Sequence, residues 1–307
     1  MPIIQRNLAY WKTQRAINNK LNFYQAILAG LNSDKTFKAA SRLLANSLDY
    51  IEVQHDQYLW ISNLDELPET INLLILKAHL LISIDLLPLA QKVIEIIYRD
   101  TDGNNGFESQ IHLLIARYLS ASKLYPGAIS ILRLLYENQA SSPQNAYILN
   151  LLAVNQFVSG GYQKSVESIR LARNTYETLQ DLRSLGFACQ NEAIILNAIG
   201  RYRAAINAIN KTIHIFQGGQ TNGFLIDALL TKHWILIAQG QGGKIDKQLQ
   251  RLTRIVDKSY PDIPAPLQWK LYRLFEYLGQ PLPFYFPYRN KPPKRYSWVL
   301  IEDQLIL

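Results

Sequence analysis

The residues of this chain with the most obvious capacity for chemistry are five histidines, one cysteine and a glycine-rich turn ending in lysine. Their spacing argues against that use. His55, His79, His112, His214 and His233 are scattered along the sequence. A metal-binding helix sets two histidines, or a histidine and carboxylates, at fixed one-turn intervals. Only His112, with Glu108 four residues earlier, comes near that pattern, and a single such pair reads as a surface contact. Cys189, the one cysteine, lies in an apolar helical stretch and reads as a small packing residue; alone it can form no internal disulfide and no multi-cysteine metal site. Gly240-Gln241-Gly242-Gly243-Lys244 looks faintly like a phosphate loop, but it lacks the spaced first glycine and the hydroxyl residue after lysine. A helical pattern also precedes it where a phosphate loop needs a strand. No nucleophile elbow and no acid–base carboxylate pair is recognisable. The expectation is a protein without catalytic residues, metal or cofactor, and not an enzyme.

What must position any functional residue here is helical. The chain has 307 residues, 48% of them hydrophobic and 18% charged, enough apolar material for a large core. From residue 69 the apolar residues recur at three- and four-residue spacing in pairs of segments divided by short polar or glycine-containing breaks. Thr70–Ser83 pairs with Pro88–Tyr98, and Glu108–Ala121 with Tyr125–Glu137. Asn145–Tyr176 holds two segments around Ser159-Gly160-Gly161. Leu182–Ile199 then pairs with Tyr202–Phe216, and Phe224–Gln239 with Lys244–Lys258. Before residue 69, helices over 3–31 and from Phe37 are followed by a less regular acidic stretch, residues 49–68. After 258 a proline-rich stretch, 259–268, precedes a last helix, Trp269–Leu278. Five prolines between Gly279 and Arg295 exclude a helix there. This divides the chain into an N-terminal capping region (1–68), helical repeats (69–258) and a C-terminal helix with a Pro, aromatic and basic tail (259–307).

The pairs repeat. Ala90, Ala128, Ser165 and Ala205 stand near the start of successive second helices at intervals of 38, 37 and 40 residues, with Ala40 as a possible earlier member. An aromatic precedes most of them by three residues: Phe37, Tyr125, Tyr162 and Tyr202. The small residue lets two helices approach closely, and the aromatic is expected to plug the space beside the turn. Gly160 and Gly200 stand at the turn, where a positive φ costs glycine little.

GYQKSVESIRLA and GRYRAAINAINKTI resemble the second-helix half of the tetratricopeptide repeat, and Leu152-Ala153 is similar to that family's pair in the first helix. The likeness is good over 145–216, moderate over 69–137 and 224–258, weak before 69 and absent after 260. The interval departs from the family's usual 34 residues, as in a long-helix variant, and the early Trp and inter-repeat Pro are missing. The resemblance implies an all-α fold: a right-handed superhelical stack of antiparallel helix pairs, a TPR-like α-solenoid, with an irregular Pro-rich C-terminal tail. It implies a concave groove lined mostly by the first helix of each pair. The family's groove positions map onto Arg117, Tyr147, Asn150, Gln190, Asn191, Asn197, Asp227 and Trp234. Amides there would bond an extended peptide backbone, and aromatics would bury its side chains. The cations of the family's two-carboxylate clamp are missing, which argues against that ligand.

The implied function is a protein–protein interaction scaffold or assembly factor holding a protein or peptide in the groove. The charge suggests an alternative. The net charge of +8 is concentrated at the ends, with seven basic and one acidic residue in 1–45 and eleven basic and four acidic in 240–300. A peptide-responsive or nucleic-acid-associated regulator would use those ends. The most apolar run, Ile71–Ile84, carries Lys77 and His79 and is too short to span a bilayer. The opening residues contain no continuous apolar stretch of the secretory-signal kind. A cytoplasmic protein is expected.

Overall fold

The computed structural model describes residues 70–83, 85–101, 108–138, 143–217, 222–241, 245–259, 263 and 265–281, with Gly30 and Leu64. The expectations for Phe37, Ala40, the basic first helices, Gly242 to Lys244 and the tail beyond 281 lie outside these residues. Among the described residues there are eleven helices and no strand. They are α1 (Ile71–Ser83), α2 (Leu87–Asp100), α3 (Glu108–Ala121), α4 (Tyr125–Glu137), α5 (Pro143–Val158), α6 (Tyr162–Thr178), α7 (Leu182–Ala198), α8 (Tyr202–Gln217), α9 (Asn222–Ala238), α10 (Ile245–Ser259) and α11 (Ala265–Tyr277). Consecutive helices pack as pairs, and each pair packs on the next, so the fold is all-α and TPR-like, a stack of helix pairs.

Three helices start two or more residues before the expectation, α9 among them at Asn222 instead of Phe224. α5 begins on Pro143, read from sequence as part of a break, and α11 begins at Ala265 instead of Trp269. Proline is accepted in a helix's first turn because that N–H has no intrahelical acceptor anyway. α2 and α4 use the same device, with Pro88 and Pro126 just inside their N-termini.

The turns inside the pairs, and the one after α11, share one construction. α1, α3, α5, α7, α9 and α11 all end in a residue of positive φ, respectively Asp85, Lys123, Gly160, Gly200, Gly240 and Gly279. The N–H of the next residue reaches back five positions, as in Gly161 to Gln156 (2.8 Å) and Arg201 to Leu196 (2.9 Å). This is the Schellman closure, which satisfies carbonyls that a helix end leaves open. Gly240 therefore closes the C-terminal end of α9.

The small residues work as expected. Ala90, Ala128, Ser165 and Ala205 are fully buried, and Ser165 Oγ donates to the carbonyl of Ala153 on the paired helix at 2.8 Å. The aromatics fill less space than expected. Tyr162 packs on Phe157 with ring centroids 5.5 Å apart, yet Tyr162 and Tyr202 remain 47% exposed. Alanine and glycine at the turn already let the helices close, which leaves these rings at the rim.

The first helices of the pairs, α1, α3, α5, α7 and α9, form an inner layer together with α11. Each touches its counterpart in the next pair more than the outer helices do, with one weak place between α3 and α5. The apolar core follows the same division. One cluster spans α1 to α3, two larger ones fill α5 to α11, and a small cluster of Ala116, Leu132, Leu135, Ile148 and Leu152 bridges them.

Candidate binding face on the inner helices

All eight residues that the family pattern assigns to the groove stand on inner helices. Arg117 is on α3, Tyr147 and Asn150 on α5, Gln190, Asn191 and Asn197 on α7, and Asp227 and Trp234 on α9. Their side chains bond mainly across the gap from one inner helix to the next. Arg117 Nη1 lies 3.0 Å from His79 Nδ1 on α1. Guanidinium only donates, so His79 Nδ1 accepts and its proton sits on Nε2. Burial, and secondarily the Arg117 charge, hold the His79 pKa well below its ordinary value. Asn191 Nδ2 donates to Asn150 Oδ1 at 3.0 Å, joining α7 to α5.

The longest chain of contacts runs through α7, α9 and α11. Gln190 Nε2 donates to Asp227 Oδ2 (2.9 Å) and Thr231 Oγ1 (3.0 Å). Lys270 Nζ closes on Asp227 Oδ1 at 2.7 Å. Asp227 and Gln190 are buried, and the Lys270 side chain is 12% exposed. A carboxylate taken out of water needs both a counter-charge and hydrogen bonds, and it has both here. At the end of α7, the buried Asn197 accepts from Gln239 Nε2 at 3.5 Å. Trp234 meets Tyr277 of α11 edge-on, with centroids 5.5 Å apart.

The structure thus sorts the eight residues. Arg117, Tyr147, Asn150 and Asn191 are part-exposed along α3, α5 and α7. Gln190, Asn197, Asp227 and Trp234 are buried against the next repeat instead of being offered at a surface. A groove position faces solvent only where the neighbouring inner helix does not cover it. Toward α11 that helix does, and Tyr277, 64% exposed, takes the rim position beside Trp234.

Sequence reasoning missed His79, Thr231 and Lys270. One signal was present in the numbering. Bonded pairs lie about one repeat apart: 38 residues for Arg117 with His79, 41 for Asn191 with Asn150, 37 for Gln190 with Asp227 and 43 for Lys270 with Asp227. A second ionic contact links the layers. Arg173 of α6 reaches both oxygens of the buried Glu192 on α7, at 2.8 and 3.1 Å.

Two of the other candidates for chemistry, Cys189 and His233, are shut away from solvent. Cys189 is fully buried, and burial pushes its thiol up to about 11. His233 is fully buried, with Nδ1 2.6 Å from the carbonyl of Leu229, and burial lowers its pKa against that bond. No group of three His, Cys, Asp or Glu among the described residues could hold a metal ion. None of the described helices is long and apolar enough to cross a membrane.

No protein-family model matches the chain, and no curated protein matches it in sequence. Solved structures do resemble it in fold. BtubC (BKLC) from P. vanneervenii superposes with a TM-score of 0.54 at 15% identity, over 73% of this chain and 91% of that one. A Rap protein complexed with Competence and Sporulation Factor gives a TM-score of 0.56 at 12% identity, over 86% and 72%. Aspartyl phosphate phosphatase F from Bacillus subtilis gives 0.54 at 14% identity, over 84% and 82%. At such identities the likeness establishes the architecture, a TPR-like helical-repeat fold.

Proposed function

We propose that the inner face is the binding surface of a non-catalytic interaction scaffold or assembly factor, which acts in the cytoplasm and holds an extended protein segment or peptide. The observation that carries this reading is the Asn150–Asn191 pair. One amide hydrogen bond joins the two side chains at 3.0 Å and leaves the Asn150 Nδ2 group and Asn191 Oδ1 on a part-exposed face. That is one donor group and one acceptor side by side, the complement of the C=O and N–H of a peptide unit. Arg117 and Tyr147 flank the pair on α3 and α5. The Rap protein of similar fold is itself a complex, with Competence and Sporulation Factor, which supports a partner-holding use of this architecture.

In this reading, residues 69–258 form a long-helix variant of the repeat. α5 to α9 run to 16 or 17 residues, against 13 or 14 for α1 to α4. Residues 1–68 and 259–307 act as end caps, with α11 supplying part of the second. The test is purification of the tagged protein with crosslinking, repeated for Asn150→Ala and Asn191→Ala. Both variants are expected to keep the fold and to lose a co-purifying partner. Retention of every partner by both would overturn the proposal.

A further inference from the structure

The stack makes one contact in two successive repeats and reverses its charge. Arg170 and Glu192 each lie 40 residues before Asn210 and Lys232, the interval that also separates Ser165 from Ala205. In the earlier repeat the residue on the inner helix is an acid. Glu192 of α7 is buried and is answered by two cations of α6, Arg173 at 2.8 Å and Arg170 at 3.9 Å. In the later repeat the inner-helix residue is Lys232 of α9, and its Nζ donates to Asn210 Oδ1 of α8 at 2.8 Å. An amide stands where the earlier repeat has an ion-pair partner.

The next outer helix adds a second cation. α8 and α10 both pack on α9 and hardly on each other. Lys232 is part-exposed, and the charge of Arg251 on α10 bears on it. Burial first, and that charge second, lower the Lys232 pKa. No ion pair among the described residues includes Lys232 or Arg251. The helices around them keep the same sign. α8 has no Asp or Glu in its length; it carries Arg203, His214 and Lys211, the last answered by Glu177 at 2.9 Å. Residues 251–259 of α10 add Arg254 and Lys258 against Asp257. Like charges held together and partly out of water weigh against the fold unless an anion offsets them.

The surroundings favour an anion borne singly on a side chain. A nucleic-acid strand needs cations for successive phosphates and aromatic faces for its bases. Tyr202, at the start of α8, is the one exposed Phe, Tyr or Trp on these two helices, and Asp257 stands among the cations. A carboxylate can accept from the Lys232 ammonium, which has three N–H groups, and from the exposed Arg251 guanidinium together.

We propose that Lys232, Arg251 and Asn210 form a docking site, on the side of the outer helices α8 and α10, for a carboxylate side chain in an acidic segment of a partner protein. This surface is independent of the groove reading above.

The probes are a fluorescent peptide of alternating Gly and Glu, the same peptide with Gln for Glu, and single-stranded oligothymidylate. Each is titrated on the full chain at low ionic strength and read by polarisation. The Glu peptide is expected to bind and the Gln peptide not. Lys232→Gln should weaken binding about tenfold and Arg251→Gln about threefold, as for a charge-assisted hydrogen bond and an exposed ion pair. Lys232→Glu copies the arrangement at Glu192. It should abolish binding and raise the melting temperature, because Arg251 then has a counter-charge. Failure of the Glu peptide to bind, equal binding by all the variants, or a lower melting temperature for Lys232→Glu would overturn the proposal. So would tighter binding of oligothymidylate, weakened by the same substitutions, since the surface would then serve nucleic acid.

Discussion

Asp227 is the residue whose environment is most sharply defined. Its carboxylate is held at 2.7 Å by Lys270 and at 2.9 Å by Gln190, out of solvent. Breaking such a pair costs more than never having it, because the surviving charge stays buried. Lys270→Met is therefore expected to lower unfolding free energy by about 3 kcal/mol, and the double change Asp227→Leu with Lys270→Met to recover most of the loss, read by urea denaturation. The histidines predict a pH dependence. His79 and His233 both have depressed pKa values in the fold, caused first by burial. The unfolded chain then takes up protons that the folded chain refuses. Stability is complete above about pH 6.5, the ordinary histidine value, and falls as pH drops from there toward the folded values. The slope is at most about 1.4 kcal/mol per pH unit for each histidine. Melting temperature measured from pH 7.5 to 5 should decline, and His79→Gln and His233→Gln should each flatten the decline.

At the scale of the element, the six Schellman turns that end α1, α3, α5, α7, α9 and α11 form a natural comparison. Gly160 and Lys123 occupy the same position at the ends of α5 and α3, with φ of +82° and +63°. A Cβ at Gly160 would meet nothing within 4 Å, so a substitution there is felt through the backbone alone. Gly160→Ala should cost about 1 kcal/mol and Lys123→Gly should gain up to about 1 kcal/mol, since the left-handed region penalises any Cβ. Thermal melts of the two variants should shift in opposite directions. Equal signs would mean that the turns are not equivalent. Helix existence was legible from sequence because periodicity is a property of the segment itself. The starts of α5 and α11 were misplaced because proline reads as a breaker and yet suits a first turn.

For the whole molecule, the stack is held by nearest-neighbour interfaces, and these are unequal. α7 to α9 share a large core with the aromatic trio Phe187, Phe216 and Phe224, whose centroids lie 5.0 to 5.5 Å apart. The seam where α5 meets α3 and α4 is spanned by a small cluster of five buried residues, flanked by Leu113, Ile129, Ile131 and Leu151. In a quasi-one-dimensional fold, stability follows such local interfaces. Amide hydrogen exchange is expected to show α1 to α4 opening at lower free energy than α5 to α9. Uniform protection on both sides of the seam would contradict this account.

The sequence by itself determined the helix pairs from residue 70 to 258, the buried small residues at 90, 128, 165 and 205, and the positive-φ glycines at 160 and 200. All of these follow from local periodicity and from the steric needs of a tight turn. Only the tertiary structure decided which of those residues remain at the surface. Gln190 and Asp227 look like exposed polar residues in the linear chain, and become mutual partners because helices one repeat apart press them together. Asn155 and Ser120 carry no sequence signal at all. Their unmatched atoms, Asn155 Oδ1 and Ser120 Oγ, depend on how α3 and α5 lie beside one another, and that is set by every side chain packed between them.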